Sequence, residues 1–404
     1  MSAPTHVSSA GVHVLDWPDV HIRVRIDRLR NERENLTGEI TVKTTNPGVA
    51  QHLHQARFNL TSTTARKTLA KALQERLDLA WDDMIEQACV MVLAKHREGE
   101  PVIRVGNLPP REALKYRVSP LLLNNQPTLA FGPGGTGKSY FALYLAVLIG
   151  GSWQHNGLLA EPGKVLVLDY ETDQYEVDER IKTIVKGLDV ETSPEIYYRF
   201  CAGPLAHEVE DIQAFVTENQ IDVVIVDPLG GAVGADMNDS EPILDYFRSL
   251  RALRTITGLS VTSLSIDHTN KEGKLFGSEY KYHRARSVFE AKKQQDSGAN
   301  FLDFGLYHRK MNNGKLLPPR GYRLEFGAES VTFSEQDVMA VPDFAATAPR
   351  WQQAAKVLKN GSMTDEDLAK HLETTITVIR AELGRRKDVF VRPTDGTWGL
   401  LQHG

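Results

Sequence analysis

A chain of 404 residues exceeds what one hydrophobic core usually organises, and 41% hydrophobic with 25% charged residues is the composition of a globular protein. A formal net charge of -5 excludes a uniformly basic nucleic-acid binder, and no apolar run approaches the length that spans a bilayer, so no membrane partner is expected. Only Cys89 and Cys201 are present, too few for a disulfide framework or a zinc set, and the N-terminus lacks a basic leader with an apolar core, so the expected location is cytoplasmic.

In chain order, residues 1–110 read as a small α+β domain. Alternation in VHIRVRIDRL, a polar NEREN break and LTGEITVKT predict a hairpin with Val20, Ile22, Val24 and Ile26 on one face. Two helices follow, one from about Thr64 with Leu69, Leu73 and Leu77 in register, the other capped near Asp82 or Asp83 and carrying Trp81, Ile85, Ala88 and Val92. The proline-containing stretch GNLPPREALKYRVSP reads as a connector.

Residues 111–335 change character. Short apolar runs (TLAF, KVLVLDY, EIYYRF, DVVIVD, SVTSLSID) alternate with helical stretches at 138–150, 173–188, 208–219 and 241–256, the pattern of parallel strands buried on both faces of an α/β sheet. FLDFGLYH, GYRLEF and SVTF are expected to extend that sheet on one side. A linker at 336–349 precedes residues 350–404, where three short helical patterns and two strand-like runs around a Pro/Asp/Gly turn predict a winged helix-turn-helix.

The most specific motif is GPGGTGKS, following the TLAF strand and running into the helical stretch that begins at Tyr140. Gly132, Pro133, Gly134, Gly135, Thr136 and Gly137 supply a loop whose glycines let successive N–H groups turn toward phosphate oxygens. Lys138 is placed to reach the β- and γ-phosphates of ATP, and Ser139 to offer its hydroxyl to Mg²⁺. The following helix, from Tyr140, adds its N-terminal dipole to the anion site.

Ligands of open α/β sheets bind outside the carboxyl ends of the strands, so the residues ending each apolar run matter. KVLVLDY leads to Glu171, IDVVIVD ends in Asp227, and SVTSLSID ends in Asp267 and His268. Asp227, behind four β-branched residues, has the form of a Mg²⁺-holding carboxylate. Glu171 is the candidate for readying the attacking water, as a carboxylate one strand away from the loop, and His268 for donating to the γ-phosphate.

GPGGTGKS, VLVLDYETD, VVIVDPLGG and IDHTNKEG followed by a GS…AR stretch together resemble the RepA-like branch of the RecA-fold P-loop ATPases, the AAA-family group of hexameric replicative helicases; the likeness covers roughly residues 115–330. The resemblance implies a RecA-like core in which Glu171 is the catalytic glutamate, Asp227 the Mg²⁺ aspartate and His268 a sensor. It also implies a homo-oligomeric ring, often a hexamer, whose sites are completed by a cation from the neighbour, with Arg286 the first candidate and Arg284 and Lys310 next.

Lys271, Lys274, Lys281 and Arg284, interleaved with Phe276, Tyr280 and Tyr282, have the basic-aromatic character of a single-strand binder in a ring channel. In the tail, nine Lys/Arg stand against seven Asp/Glu, and Thr374 to Lys387 would be a recognition helix presenting Arg380, Arg385, Arg386 and Lys387 to duplex DNA. The expected function is an ATP-hydrolysing DNA motor, helicase or translocase. The rivals are an ATP-dependent DNA-binding regulator that never unwinds and an ATPase ring acting on protein partners.

Overall fold

In a computed structural model of the chain, the structure describes residues 3–9, 11–32, 35–98, 104, 106, 115–190, 193–270, 273, 275–312, 314–394 and 396–401. The N-terminal region is a meander of five antiparallel strands, β1 (Thr5–Ser9), β2 (Val12–Trp17), β3 (Ile22–Glu32), β4 (Asn35–Thr44) and β5 (His52–Asn59), paired in sequence order and followed by α1 (Thr63–Gln74) and α2 (Trp81–Glu98). Ile22, Val24 and Ile26 line one buried face as the alternation predicts, and they pack on Leu69, Leu73, Trp81, Ile85 and Ala88. Val20 lies instead in a short 3-10 turn, and the hairpin is only the centre of a larger sheet. The strands β1 and β5 are not legible because THVSS and HLHQARFN are too polar to show a hydrophobic period, whereas β2, VHVLDW, does alternate with its buried residues and was missed although the signal is there.

The phosphate-loop region begins with a small sheet of β6 (Tyr116–Ser119), β7 (Leu122–Leu123), β9 (Gln154–His155) and β10 (Leu158–Ala160). The main sheet has nine strands: β8 (Pro127–Gly132), β11 (Lys164–Asp169), β12 (Ile196–Phe200), β13 (Ile221–Asp227), β14 (Thr262–His268), β15 (Ser287–Gln294), β16 (Phe301–Met311), β17 (Arg320–Phe326) and β18 (Val331–Gln336). Their order is β12-β11-β13-β14-β8-β15-β16-β17-β18, parallel from β12 to β15 and antiparallel beyond. The helices are α3 (Lys138–Gly151), α4 (Gln174–Gly187), α5 (Leu205–Asn219), α6 (Leu229–Val233), α7 (Ser240–Ala252) and α8 (Tyr280–Arg284).

Helix α3 is apolar all round, with every residue from Phe141 to Ile149 buried, which an ordinary surface helix cannot be. The antiparallel strands account for it. Phe141 lies 4.9 Å from the Phe304 ring and 5.0 Å from Tyr322, and Tyr144 stacks on Phe333 at 4.1 Å, so β16, β17 and β18 cover the face of α3 that the parallel strands leave open.

After the sheet, the stretch expected as a linker holds α9 (Pro342–Thr347), and Val338, Met339, Val341 and Phe344 form a small buried cluster with Tyr307. The tail contains α10 (Arg350–Leu358), α11 (Asp365–His371), α12 (Ile376–Gly384) and a hairpin of β19 (Phe390–Val391) and β20 (Gly399–Leu400), joined by a bridge between Met363 and Trp398.

The described chain divides into two compact units. One comprises Met1–Ala113, Gly203–Gln220 and Asp245–Ser260, the other Leu114–Ala202, Ile221–Leu244 and Val261–Gly404. Within the first, β3 bulges between Asp27 and Arg30, putting Arg28 in the left-handed region at φ 51°. The Glu210 carboxylate of α5 accepts the exposed main-chain N–H groups of Arg28 and Leu29. Burial pushes Glu210 up to about 7, against the pull of those amides. Because the folded value lies above the unfolded one, Glu210 favours the fold below about pH 4.5 and that support is lost as pH rises through about 7. Thermal melts across that window are expected to show wild type losing stability relative to Glu210→Gln; parallel curves would contradict the assignment.

Candidate active site

The phosphate loop starts where β8 ends. Gly135 and Gly137 have φ of +64° and +89°, which side-chain-bearing residues rarely adopt, and a β-carbon at Gly132 would sit 2.4 Å from the Ala291 carbonyl oxygen of β15. The glycines are therefore required by backbone shape at two positions and by a neighbouring strand at the third. Lys138 opens α3, is 5% exposed, and donates to the Gly132 and Pro133 carbonyls at 2.8 and 2.7 Å. Burial lowers its ammonium to about 8, with the carboxylates of Asp227, Asp267 and Glu171 pulling the other way.

A bound polyphosphate would restore the Lys138 proton, since an adjacent anion favours the charged form. Calorimetry in buffers of different ionisation enthalpy should show ATP binding taking up part of a proton at about pH 8.5, where the nucleotide itself is fully ionised, and affinity should fall above that pH. Buffer-independent heats at that pH would remove Lys138 as the linked group.

The acidic side of the site comes from β11 and β13. Asp169 and Asp227 are register partners at the ends of these strands. Asp227 is hydrogen-bonded to Ser139, and burial holds its carboxyl above the usual range. Asp169, 4% exposed, accepts the Glu171 and Thr172 amides at 2.8 and 3.0 Å and the Thr172 hydroxyl, shaping the turn that projects Glu171. Ser139, Asp169, Glu171, Thr172, Arg180 and Asp227 line one cleft. Ser139 and Asp227 form the oxygen pair that suits Mg²⁺, a hard cation that completes its shell with water and substrate phosphates.

The strand order corrects one expectation. β11 is not next to β8 but lies beyond β13 and β14, because both those strands insert between them. Glu171 reaches the site through the turn after β11, adjoining Asp227 on the neighbouring strand. His268 ends β14, the strand between Asp227 and the phosphate loop, as the register partner of Gly132.

The remaining expected site residues are distributed as follows. Tyr140 packs edge-on to Phe326 at 5.5 Å, with the Arg180 guanidinium 5.1 Å from its ring. Arg286 is exposed, and its amide donates to Pro127 at the opposite end of β8 from the phosphate loop, so this chain does not bring it to its own site. Arg284 is likewise exposed. Lys310 donates to the Tyr282, His283 and Ala285 carbonyls at 2.6, 2.8 and 2.8 Å, so all three ammonium protons already cap α8.

The basic-aromatic segment also changes. Lys281 is 0% exposed and pairs with Asp267 at 2.6 Å, so it is no surface cation. Phe276 and Tyr280 remain exposed, while Lys271 and Lys274 lie outside the described residues. In the tail, Arg380 is bound to buried Asp365 at 2.7 Å, alongside Arg392 and the Trp398 indole, and Arg386 lies 4.0 Å over Trp351. The expected recognition helix ends at Gly384, so Arg385, Arg386 and Lys387 follow α12 rather than lying on it; Arg385 and Lys387 are exposed, and Arg380, on the helix, is exposed but held by Asp365. Thr172 and Arg180 went unread because each belongs to the site only through the turn and helix after β11, and Asp169 because it lies two residues before the Glu171 that the strand end pointed to. The one available signal was Asp169 heading the DYETD run.

Residues 96–274 match the model of a family described as an AAA domain. Among curated proteins none matches the chain. Among solved structures, a KaiC-like protein from the hyperthermophilic archaeon Pyrococcus horikoshii is similar over 54% of this chain and 93% of its own, at 14% identity and a TM-score of 0.38. The AAA-domain match spans the phosphate loop, Glu171, Asp227 and His268, and supports a nucleotide-hydrolysing P-loop ATPase. No described helix is long and apolar enough to cross a membrane.

Proposed function

We propose that the chain is a RecA-like, ring-forming ATPase that couples ATP hydrolysis to work on DNA. The observation that carries the ATPase part is the convergence of Ser139, Asp227, Asp169 and Glu171 on one cleft beside the phosphate loop. The loop amides and Lys138 would hold the triphosphate, and Ser139 and Asp227 would hold Mg²⁺, which would neutralise charge on the phosphate oxygens. Glu171, fixed by the Asp169 turn, orients the attacking water and takes its proton.

Arg286 points to assembly: it lies far from its own phosphate loop yet exposed, where a neighbour's nucleotide is the anion it can meet. The DNA part rests on the resemblance to RepA-like ATPases and on exposed Phe276 and Tyr280, which offer stacking surfaces for bases. A second reading, a DNA-binding switch without strand separation, is favoured by the tail, where three helices and a hairpin bridged at Met363 follow winged-helix order.

Steady-state ATP turnover with no nucleic acid, single-stranded DNA, duplex DNA and RNA, read beside molecular mass with and without ATP, tests the proposal. Single-strand stimulation with an ATP-dependent ring supports the motor. Duplex-dependent binding through residues 350–404 with no unwinding supports the switch, and a monomer indifferent to every nucleic acid overturns both.

A further inference from the structure

Strand β15 carries a cation that belongs to no motif. Phe289 and Ala291 of this strand are buried in the core against α3, and Lys292 turns to the opposite face, 5.0 Å from the Tyr307 ring. The alternation of a strand therefore returns Lys293 to the α3 face. Register does the rest: Glu290 is level with Phe131, so residues beyond it run alongside the phosphate loop rather than alongside β8. The Lys293 ammonium accordingly lies 3.5 Å from where a β-carbon of Gly135 would stand.

No carboxylate pairs with Lys293 among the described residues, and its neighbour across the loop is another ammonium, Lys138, on which it acts as a repelling charge. Two cations converging on one glycine loop, neither neutralised by a carboxylate at contact distance, form a site that is complete only when a polyanion enters it. Salt-bridged surface lysines of this protein look different: Lys182 and Lys186 each hold an acidic partner.

We infer that Lys293 is a second ammonium, supplied by the same chain, that binds the polyphosphate of the nucleotide across the loop from Lys138. The inference rests on the nucleotide reading above and adds a binding residue to it. A flexible, exposed lysine at this place closes over the loop once the anion is seated, and Gly135 leaves the room it needs.

The test is ATP titration by calorimetry, at low and at raised salt, of wild type, Lys293→Ala, Lys293→Arg and Lys138→Ala, with thermal melts as the folding control. Lys293→Ala should bind ATP on the order of tenfold more weakly with a flatter salt dependence and an unchanged melt, while Lys293→Arg stays within about threefold of wild type. Wild-type or tighter binding by Lys293→Ala overturns the inference and leaves the ATPase reading standing. No binding by wild type, or equal binding by Lys138→Ala, instead removes the nucleotide reading and this residue's role with it.

Discussion

Replacing Glu171 with Gln is expected to lower ATP turnover by about 10²–10⁴-fold, the range for losing a positioned general base, while ATP affinity stays within about threefold. The split follows from where the side chain stands. Glu171 is held by a turn whose amides are bound by Asp169, and it belongs neither to the phosphate loop nor to the Ser139–Asp227 pair, on whose charged groups it acts only through space. Gln keeps the size and the hydrogen-bonding oxygen but cannot take the proton. Single-turnover hydrolysis and nucleotide titration on the same preparation check it, and a variant retaining more than about a tenth of wild-type turnover would show that the base is another group. Asp169 is then next in line, although its oxygens are occupied in shaping the turn.

Replacing Lys281 with Met is expected to destabilise the protein by about 3–5 kcal/mol, because it strands a buried carboxylate. Asp267 is 2% exposed and Lys281 0%; the ammonium meets the carboxylate at 2.6 Å and also donates to the Phe276 carbonyl. Burial pushes Asp267 up, and Lys281 with the His268 amide holds it down. Without Lys281 the carboxyl must protonate or the loop must open, so the variant should regain stability as pH falls. Adding Asp267→Asn, which removes the stranded charge, should recover much of the loss. Chemical denaturation of both variants at neutral and acidic pH measures this; a loss that is the same at every pH would mean that packing, not charge, had been removed.

The pair also bears on function. Asp267 precedes His268, the register partner of Gly132, and Lys281 lies in α8, so one buried ion pair joins the strand end beside the phosphate loop to the segment displaying Tyr280.

How far the sequence could be read depended on the range of the interactions involved. The phosphate loop was legible because its chemistry lies within eight consecutive residues, and Asp227 because a carboxylate directly follows an apolar strand. The N-terminal sheet was half legible, since β3 and β4 alternate cleanly while β1 and β5 carry few apolar side chains. The fate of each cation was not legible at all. Lys281, Lys310 and Arg380 look like surface charges in a linear pattern, yet one is buried on Asp267, one caps α8 and one is held by Asp365.

By itself the amino-acid sequence determined the glycine loop with its lysine and serine, the alternation of buried strands with helices, and the acidic residues after two of those strands. These follow from side-chain periodicity and local backbone geometry, which neighbouring residues settle among themselves. Tertiary structure alone decided that β13 and β14 separate β11 from β8, that β16 to β18 cover α3, and that Lys281 is buried on Asp267 while Lys293 stands beside the phosphate loop. Strand order and charge pairing join residues tens to hundreds of positions apart, and a periodic pattern says which face a side chain occupies without saying what waits on the other side.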